Sequence, residues 1–175
     1  MDKALAVAGV VLASVLSSCG GSSDAEASKA LSASIMKSQR SGDNAASSLL
    51  SLDREEADCI ATGMVDEIGT DQLQEYQVLT EDNKANKDLS QVKMSQGDAE
   101  AATDVLFGCT DVPATMKKAL TSGGQVPAEI LDCVTAALDE KALRALFTSA
   151  FAGEEAAARQ QLVGPVTRCA ASRGG

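Results

Sequence analysis

Residues 52–69, LDREEADCIATGMVDEIG, carry the two signals that decide the fold: a helix with marked ends, and a cysteine on it. Asp53 followed three residues later by Glu56 has the spacing of a capping box, in which each side chain satisfies a backbone N–H at the start of a helix. Ala57, Ile60, Ala61, Met64 and Ile68 then recur at helical spacing, and Gly69 supplies a stop. The stretch predicts a helix over 53–68 that carries Cys59. The same register returns without gaps later in the chain, where Leu52, Glu55, Asp58, Cys59, Ile60 and Met64 line up on Val126, Glu129, Asp132, Cys133, Val134 and Leu138. Each copy meets a second cysteine near the end of a later helix, Cys109 and Cys169, and the pattern reads as an internal duplication of one helical module.

The remaining elements follow from caps and breakers. Ser95 and Asp98 repeat the N-terminal cap, and Ala99, Ala102, Val105 and Leu106 lead from it to Cys109. Pro113 suits the first turn of a helix carrying Met116 and Leu120 and closed by Gly123-Gly124, while Pro127 opens another with Ile130, Leu131, Val134 and Leu138 inward. Leu143, Leu146, Phe147, Ala150 and Phe151 form an i, i+3, i+4, i+7, i+8 stripe of the width that faces a core. Glu154 and Glu155 suit the first turn of a last helix, which Pro165 has to kink or end before Cys169. Weaker signals mark a short helix over 27–39, from Ala30, Leu31, Ala33, Ile35 and Met36, and a turn or two around Leu73, Tyr76 and Leu79. The expectation is an all-α protein, a small bundle of about six helices in two duplicated modules. It occupies residues 51–172, behind a tether over 19–50.

A different kind of segment precedes the tether. Met1-Asp2-Lys3 is a short polar start, residues 4–16 (ALAVAGVVLASVL) are uncharged and apolar, and Leu16-Ser17-Ser18-Cys19 has the small-residue spacing of a lipobox. The apolar run falls short of the roughly 20 residues that cross a bilayer, and Gly20-Gly21-Ser22-Ser23 argues for cleavage. Residues 1–18 therefore read as a lipoprotein signal peptide and Cys19 as the lipidation site. The expected partner is the membrane, held through a diacylglyceryl group on Cys19, and the expected address is the outer face of the bacterial cytoplasmic membrane. Each buried acyl CH₂ contributes about 0.8 kcal/mol, so two chains hold stably where one exchanges. The competing reading is an ordinary secretory peptide, with Cys19 as a fifth cysteine. Residues 20–27 (GGSSDAEA) are small and polar and read as the start of the tether.

Composition excludes several function classes. A formal net charge of −10 is a poor match to nucleic acid or anionic lipid, so no nucleic-acid partner is expected. Tyr76, Phe107, Phe147 and Phe151 are the only aromatics, which leaves few stacking platforms for bases or sugars. The chain has no histidine, which removes Ser-His-Asp and Cys-His catalysis and the nitrogen-ligand metal sites. Carboxylates at Asp53, Glu55, Glu56, Asp58, Asp66, Glu67 and Asp71 read as a solvated helical face and as favourable charges at helix starts. Asp82-x-Lys84-x-Asn86-x-Asp88 imitates an EF-hand, but Lys84 sits at its third position, Lys87 replaces the required Gly and Lys93 the final Glu. No catalytic residue, cofactor or metal ligand is expected, and the chain reads as a non-enzyme.

With Cys19 taken by lipid, Cys59, Cys109, Cys133 and Cys169 remain, an even number in a compartment that permits disulfides. Two bridges are the natural reading. Three pairings are possible; the duplication favours Cys59 with Cys109 and Cys133 with Cys169, and crossed pairing stays open. A Cys₄ zinc site or a redox centre would need close-set CxxC pairs, and a cysteine nucleophile would need a histidine.

Ala57-Asp58-Cys59-Ile60-Ala61, Val65-Asp66-Glu67-Ile68-Gly69 with Leu73, Met94-Ser95 with Asp98-Ala99, Phe107-Gly108-Cys109 with Asp111, and the later Cys133/Cys169 pair together resemble the small cysteine-paired helical lipoproteins and secreted proteins of high-GC Gram-positive bacteria. The resemblance covers roughly residues 27–172. It implies an exported helical domain and no activity; Pro165 and the long insert over 74–93 blur the match between the halves. Two functional expectations follow. The first is a membrane-anchored interaction module with an unknown envelope protein as partner. The second is a carrier in which Met64, Met94, Met116, Phe147 and Phe151 line a pocket for an apolar ligand or lipid. An enclosed cavity of a few hundred Å³ favours the carrier, and a solid interior with an exposed apolar patch favours the module.

Overall fold

A computed structural model describes residues 23–41, 50–86, 92–122 and 128–171. Among them the chain forms eight helices and no strand: α1 (Ser23–Ser41), α2 (Arg54–Ile68), α3 (Thr70–Glu75), α4 (Gln96–Cys109), α5 (Val112–Ser122), α6 (Ala128–Ala137), α7 (Glu140–Phe151) and α8 (Glu155–Ala171). The protein is all-α, as the spacing of its apolar residues requires. The count exceeds the expected six because both weakly signalled segments, α1 and α3, are helical. Leu120, Ile130 and Leu131 lie outside the described side chains, and Gly123-Gly124 and Pro127 outside the described residues.

Local chemistry sets the ends. Asp53 Oδ1 accepts from the Glu56 N–H at 2.9 Å and Glu56 Oε2 from the Asp53 N–H at 2.8 Å, completing the capping box that starts α2. Gly69 ends it at φ +89°, a left-handed value that only glycine adopts without strain. Ser95 caps α4, and Asp139 caps α7 by accepting from the Ala142 N–H at 2.8 Å. The start of α4 is held further by Tyr76, whose hydroxyl donates to Asp98 Oδ2 at 2.5 Å and accepts from the Ser95 N–H at 3.1 Å.

The helices pack in a row, in which α1, α2, α4 and α7 are each antiparallel to the one before. α2 lies against α4, Glu56 Oε1 accepting from Thr110 Oγ1 at 2.7 Å across the end of the seam. α4 lies against α7, α7 against α8, and α8 against α6. Two disulfides bind the row, Cys59–Cys109 between α2 and α4 and Cys133–Cys169 between α6 and α8. In each half the bridge joins the first cysteine-bearing helix to the last, the pairing that the duplicated register favours. The halves nevertheless share one core, since Ile60, Val105 and Leu106 pack in the same buried cluster as Val134, Leu138, Leu143 and Leu146.

Three expectations need correction. Residues 23–27, read as tether, are the opening of α1: Ala27 is fully buried and Leu31 7 % exposed, in a cluster with Ala61, Val65 and Leu73. Small residues let α1 approach α2 closely, so packing supplies what low hydropathy concealed. Asp24 Oδ1 accepts from Thr70 Oγ1 at 2.7 Å, and the Ser32 hydroxyl donates to Asp58. Of the two outcomes expected at Pro165, a kink or an end, the end does not occur, since the last helix runs on to Ala171. Gly164 precedes the proline, so the preceding residue has no Cβ for the ring to clash with. Ala150 is exposed, because α7 turns its inner face through Leu143 and Leu146 and closes at Ala152.

Substitutions that alter the α2–α4 seam test this packing. A Cβ on Gly63 would lie 2.7 Å from Val105 Cγ1, whereas one on Gly97 meets nothing within 4 Å. Gly63→Val should lower stability to urea by about 1–3 kcal/mol, and Gly97→Ala should raise it by up to about 1 kcal/mol. Replacing both Cys59 and Cys109 by Ser, which opens a loop of sequence separation 50, should cost about 4 kcal/mol in the same assay.

Candidate functional site

The side chains that sequence reasoning singled out do not converge on one place. Cys19 lies outside the described residues. Cys59 and Cys133 are exposed while Cys169 is only 4 % exposed, and all four remaining cysteines are consumed by the two bridges. Met94 packs in the cluster built on α1–α4, Met116 in the other, and Met64 bridges the two. Phe147 packs on one cluster and Phe151 on the other. The five residues offered as the walls of a ligand pocket are thus divided between two packed cores.

The acidic residues are mostly engaged in folding. Asp53 and Glu56 cap α2, Glu56 reaches Thr110, and Asp58 takes the Ser32 hydroxyl. Asp66, Glu67 and Asp71 are exposed at the other end of α2. In the EF-like segment, residues 87 and 88 lie outside the described residues. Its earlier part is a tight turn, with the Thr80 N–H donating to Lys84 O at 2.8 Å and Asn83 at φ +56°. Among the described residues no group of three or more His, Cys, Asp or Glu side chains is placed to hold a metal ion. No described helix is long and apolar enough to cross a membrane.

Two features were not anticipated. The first is a seam between α4 and α7. The Arg144 guanidinium sits 4.4 Å above the centre of the Phe107 ring, with Nη1 2.6 Å from Asp104 and Nε 2.9 Å from Glu140. The hydrogen bond to Glu140 does most to hold the guanidinium above its ordinary pKa, opposed by burial and helped by Asp104. Phe107 in turn meets Phe147 edge-on at 6.2 Å. Beneath them Thr103 donates to Ala99 O at 2.8 Å, so the 3.0 Å contact with Thr148 is completed by the Thr148 hydroxyl donating. Glu140 and Arg144 at i, i+4 were the one legible sign of this arrangement.

The second feature is a corner. Thr110 and Asp111 turn the chain from α4 into α5, Asp111 Oδ1 accepting from the Ala114 N–H at 3.0 Å. Two open clefts meet there. One, of about 450 Å³, is lined by Asp111, Pro113, Met116, Lys117, Asp132 and Leu143 among others; the second, of about 480 Å³, runs from Phe107 past Asp111 and Pro113 to Glu140. Asp111 and Asp132 are exposed on its rim beside Lys117, while Glu140 is paired with Arg144, so the corner suits a partner surface that is apolar at its centre and basic at its edge. Comparison with known protein families, with curated proteins and with solved structures found no match.

The seam between α4 and α7 can be weighed directly. A double-mutant cycle of Arg144→Met with Phe107→Leu, read by urea unfolding, should give a coupling of about 0.5–1 kcal/mol, the range for a cation over an exposed ring.

Proposed function

We propose that this protein is an extracytoplasmic lipoprotein of the small cysteine-paired helical type. It is held to the outer face of the cytoplasmic membrane through Cys19 and acts without catalysis as an interaction module for another envelope protein. The observation that carries the reading over a lipid carrier is the fate of Met64, Met94, Met116, Phe147 and Phe151, which are spread over two packed clusters, with Met64 touching both, and do not converge on one pocket. What the domain then offers a partner is its outer surface. The clefts at the α4–α5 corner combine concavity with mixed chemistry, an apolar floor from Met116 and Leu143 under carboxylates from Asp111 and Asp132. Leu16-Ser17-Ser18-Cys19 supports the address, and the two disulfides suit an oxidising compartment.

Crosslinking in intact cells followed by capture of this chain tests the proposal. One envelope protein should be recovered reproducibly, and Asp132→Lys should reduce its yield while Glu67→Lys, far from the corner, should not. Recovery of a stoichiometric lipid in organic extracts of the captured chain, in place of a protein, would overturn the module in favour of the carrier.

A further inference from the structure

The start of α1 ties the anchor to one end of the fold. Asp24 in its first turn accepts from Thr70 at the start of α3, and Ser32 donates to Asp58 in the first half of α2. α1 therefore runs antiparallel to α2, with its N-terminus beside the C-terminus of α2. Ala27, fully buried, fixes α1 against the domain within its first turns. Between Cys19 and Ser23 lie only Gly20-Gly21-Ser22, and four residue steps of fully extended chain reach about 14 Å at most. α2 has 15 residues and is about 22 Å long. The reach is thus shorter than the helix that separates the two ends of the domain.

We infer that the protein has a fixed bilayer-facing end, made by the start of α1, the C-terminal turn of α2 and α3, and that the α4–α5 corner faces away from the lipid. This rests on the lipidation of Cys19 proposed above. Antiparallel packing carries the assignment across the row: α4 begins at the near end, where Tyr76 holds Ser95, and finishes at the far end with Cys109 and Thr110. The two clefts, which share Asp111 and Pro113, follow at the far end. A partner reaching them approaches from outside without crossing the headgroups. Asp24, Glu26, Asp66, Glu67 and Asp71 give the near end its charge, and the tether holds several of them within reach of the roughly 8 Å over which charges act at physiological salt. That end fits a zwitterionic surface better than an anionic one.

The native lysines report the orientation without substitution. Lys29, Lys84 and Lys93 are exposed on elements at the near end, and Lys117, Lys118 and Lys141 are exposed on α5 and at the start of α7. Purified, membrane-extracted protein is placed in phosphatidylcholine vesicles containing phosphatidylethanolamine and treated with a short amine-to-amine crosslinker, and lipid adducts are mapped by peptide mass. Adducts should fall on the first three lysines several-fold more than on the last three. Inserting about 20 Gly/Ser residues between Ser22 and Ser23, with a root-mean-square span of about 25 Å, should even out the distribution. Even labelling of the native chain, or a bias that survives the long linker, overturns the orientation. The same maps give the mass of the Cys19 peptide, so the two ideas fail separately. An unmodified Cys19 removes the anchor and the orientation together, whereas a diacylglyceryl-modified Cys19 with even labelling removes the orientation alone.

Discussion

The antiparallel contact between α2 and α4 is the constraint on which the rest is built. Gly63 lets the two backbones close until Val105 fills the space where a side chain would stand, and Cys59–Cys109 locks the register that this approach sets. Ala57, Ala61, Ala99 and Ala102 are all buried within these two helices, so the seam is made of small groups at short range. A chain with four aromatic residues has little bulk to bury. Close helix approach recovers through many short contacts what large side chains would otherwise contribute. From this seam α1 extends the row on one side and α7 on the other.

The duplicated cysteine register and the shared core describe two levels of the same molecule. Covalently, each half is closed on itself by a bridge between its first and last cysteine-bearing helix. In packing, the halves depend on each other, because α7 has no counterpart of its length in the first half. The six-residue α3 stands there, followed by the turn that Leu79 and Ala85 close. α7 lies between α4 and α8 and completes the core of both.

The fold was legible wherever a local rule operates alone. Asp53 with Glu56, Ser95 with Asp98, and the alternation from Ala57 to Ile68 each act within one or two turns, and each is found as the spacing predicts. The reading failed where a distant partner decides. Residues 23–27 look like tether until Ala61 and Val65 are beside them. The cysteine pairing was legible only because the repeat supplied long-range information that a single module lacks. The corner clefts had no sequence signal, since Asp111 and Asp132 come from different halves and meet only after α5 folds back.

Neither bridge crosses from α4 to α7. The two halves are joined instead by the core they share, Val105 and Leu106 with Leu143 and Leu146, by Arg144 with Asp104, Phe107 with Phe147 and the hydroxyls of Thr103 and Thr148, and by the chain that runs on through α5. Apart from the chain itself, this junction is held by non-covalent contacts alone. The loops inside each cysteine bridge cannot lengthen, so between Cys59 and Cys169 extension is confined to the stretch between Cys109 and Cys133. From Cys59 to Cys169 the molecule is in this sense a pair of sealed links with one extensible joint, and that joint lines the corner clefts.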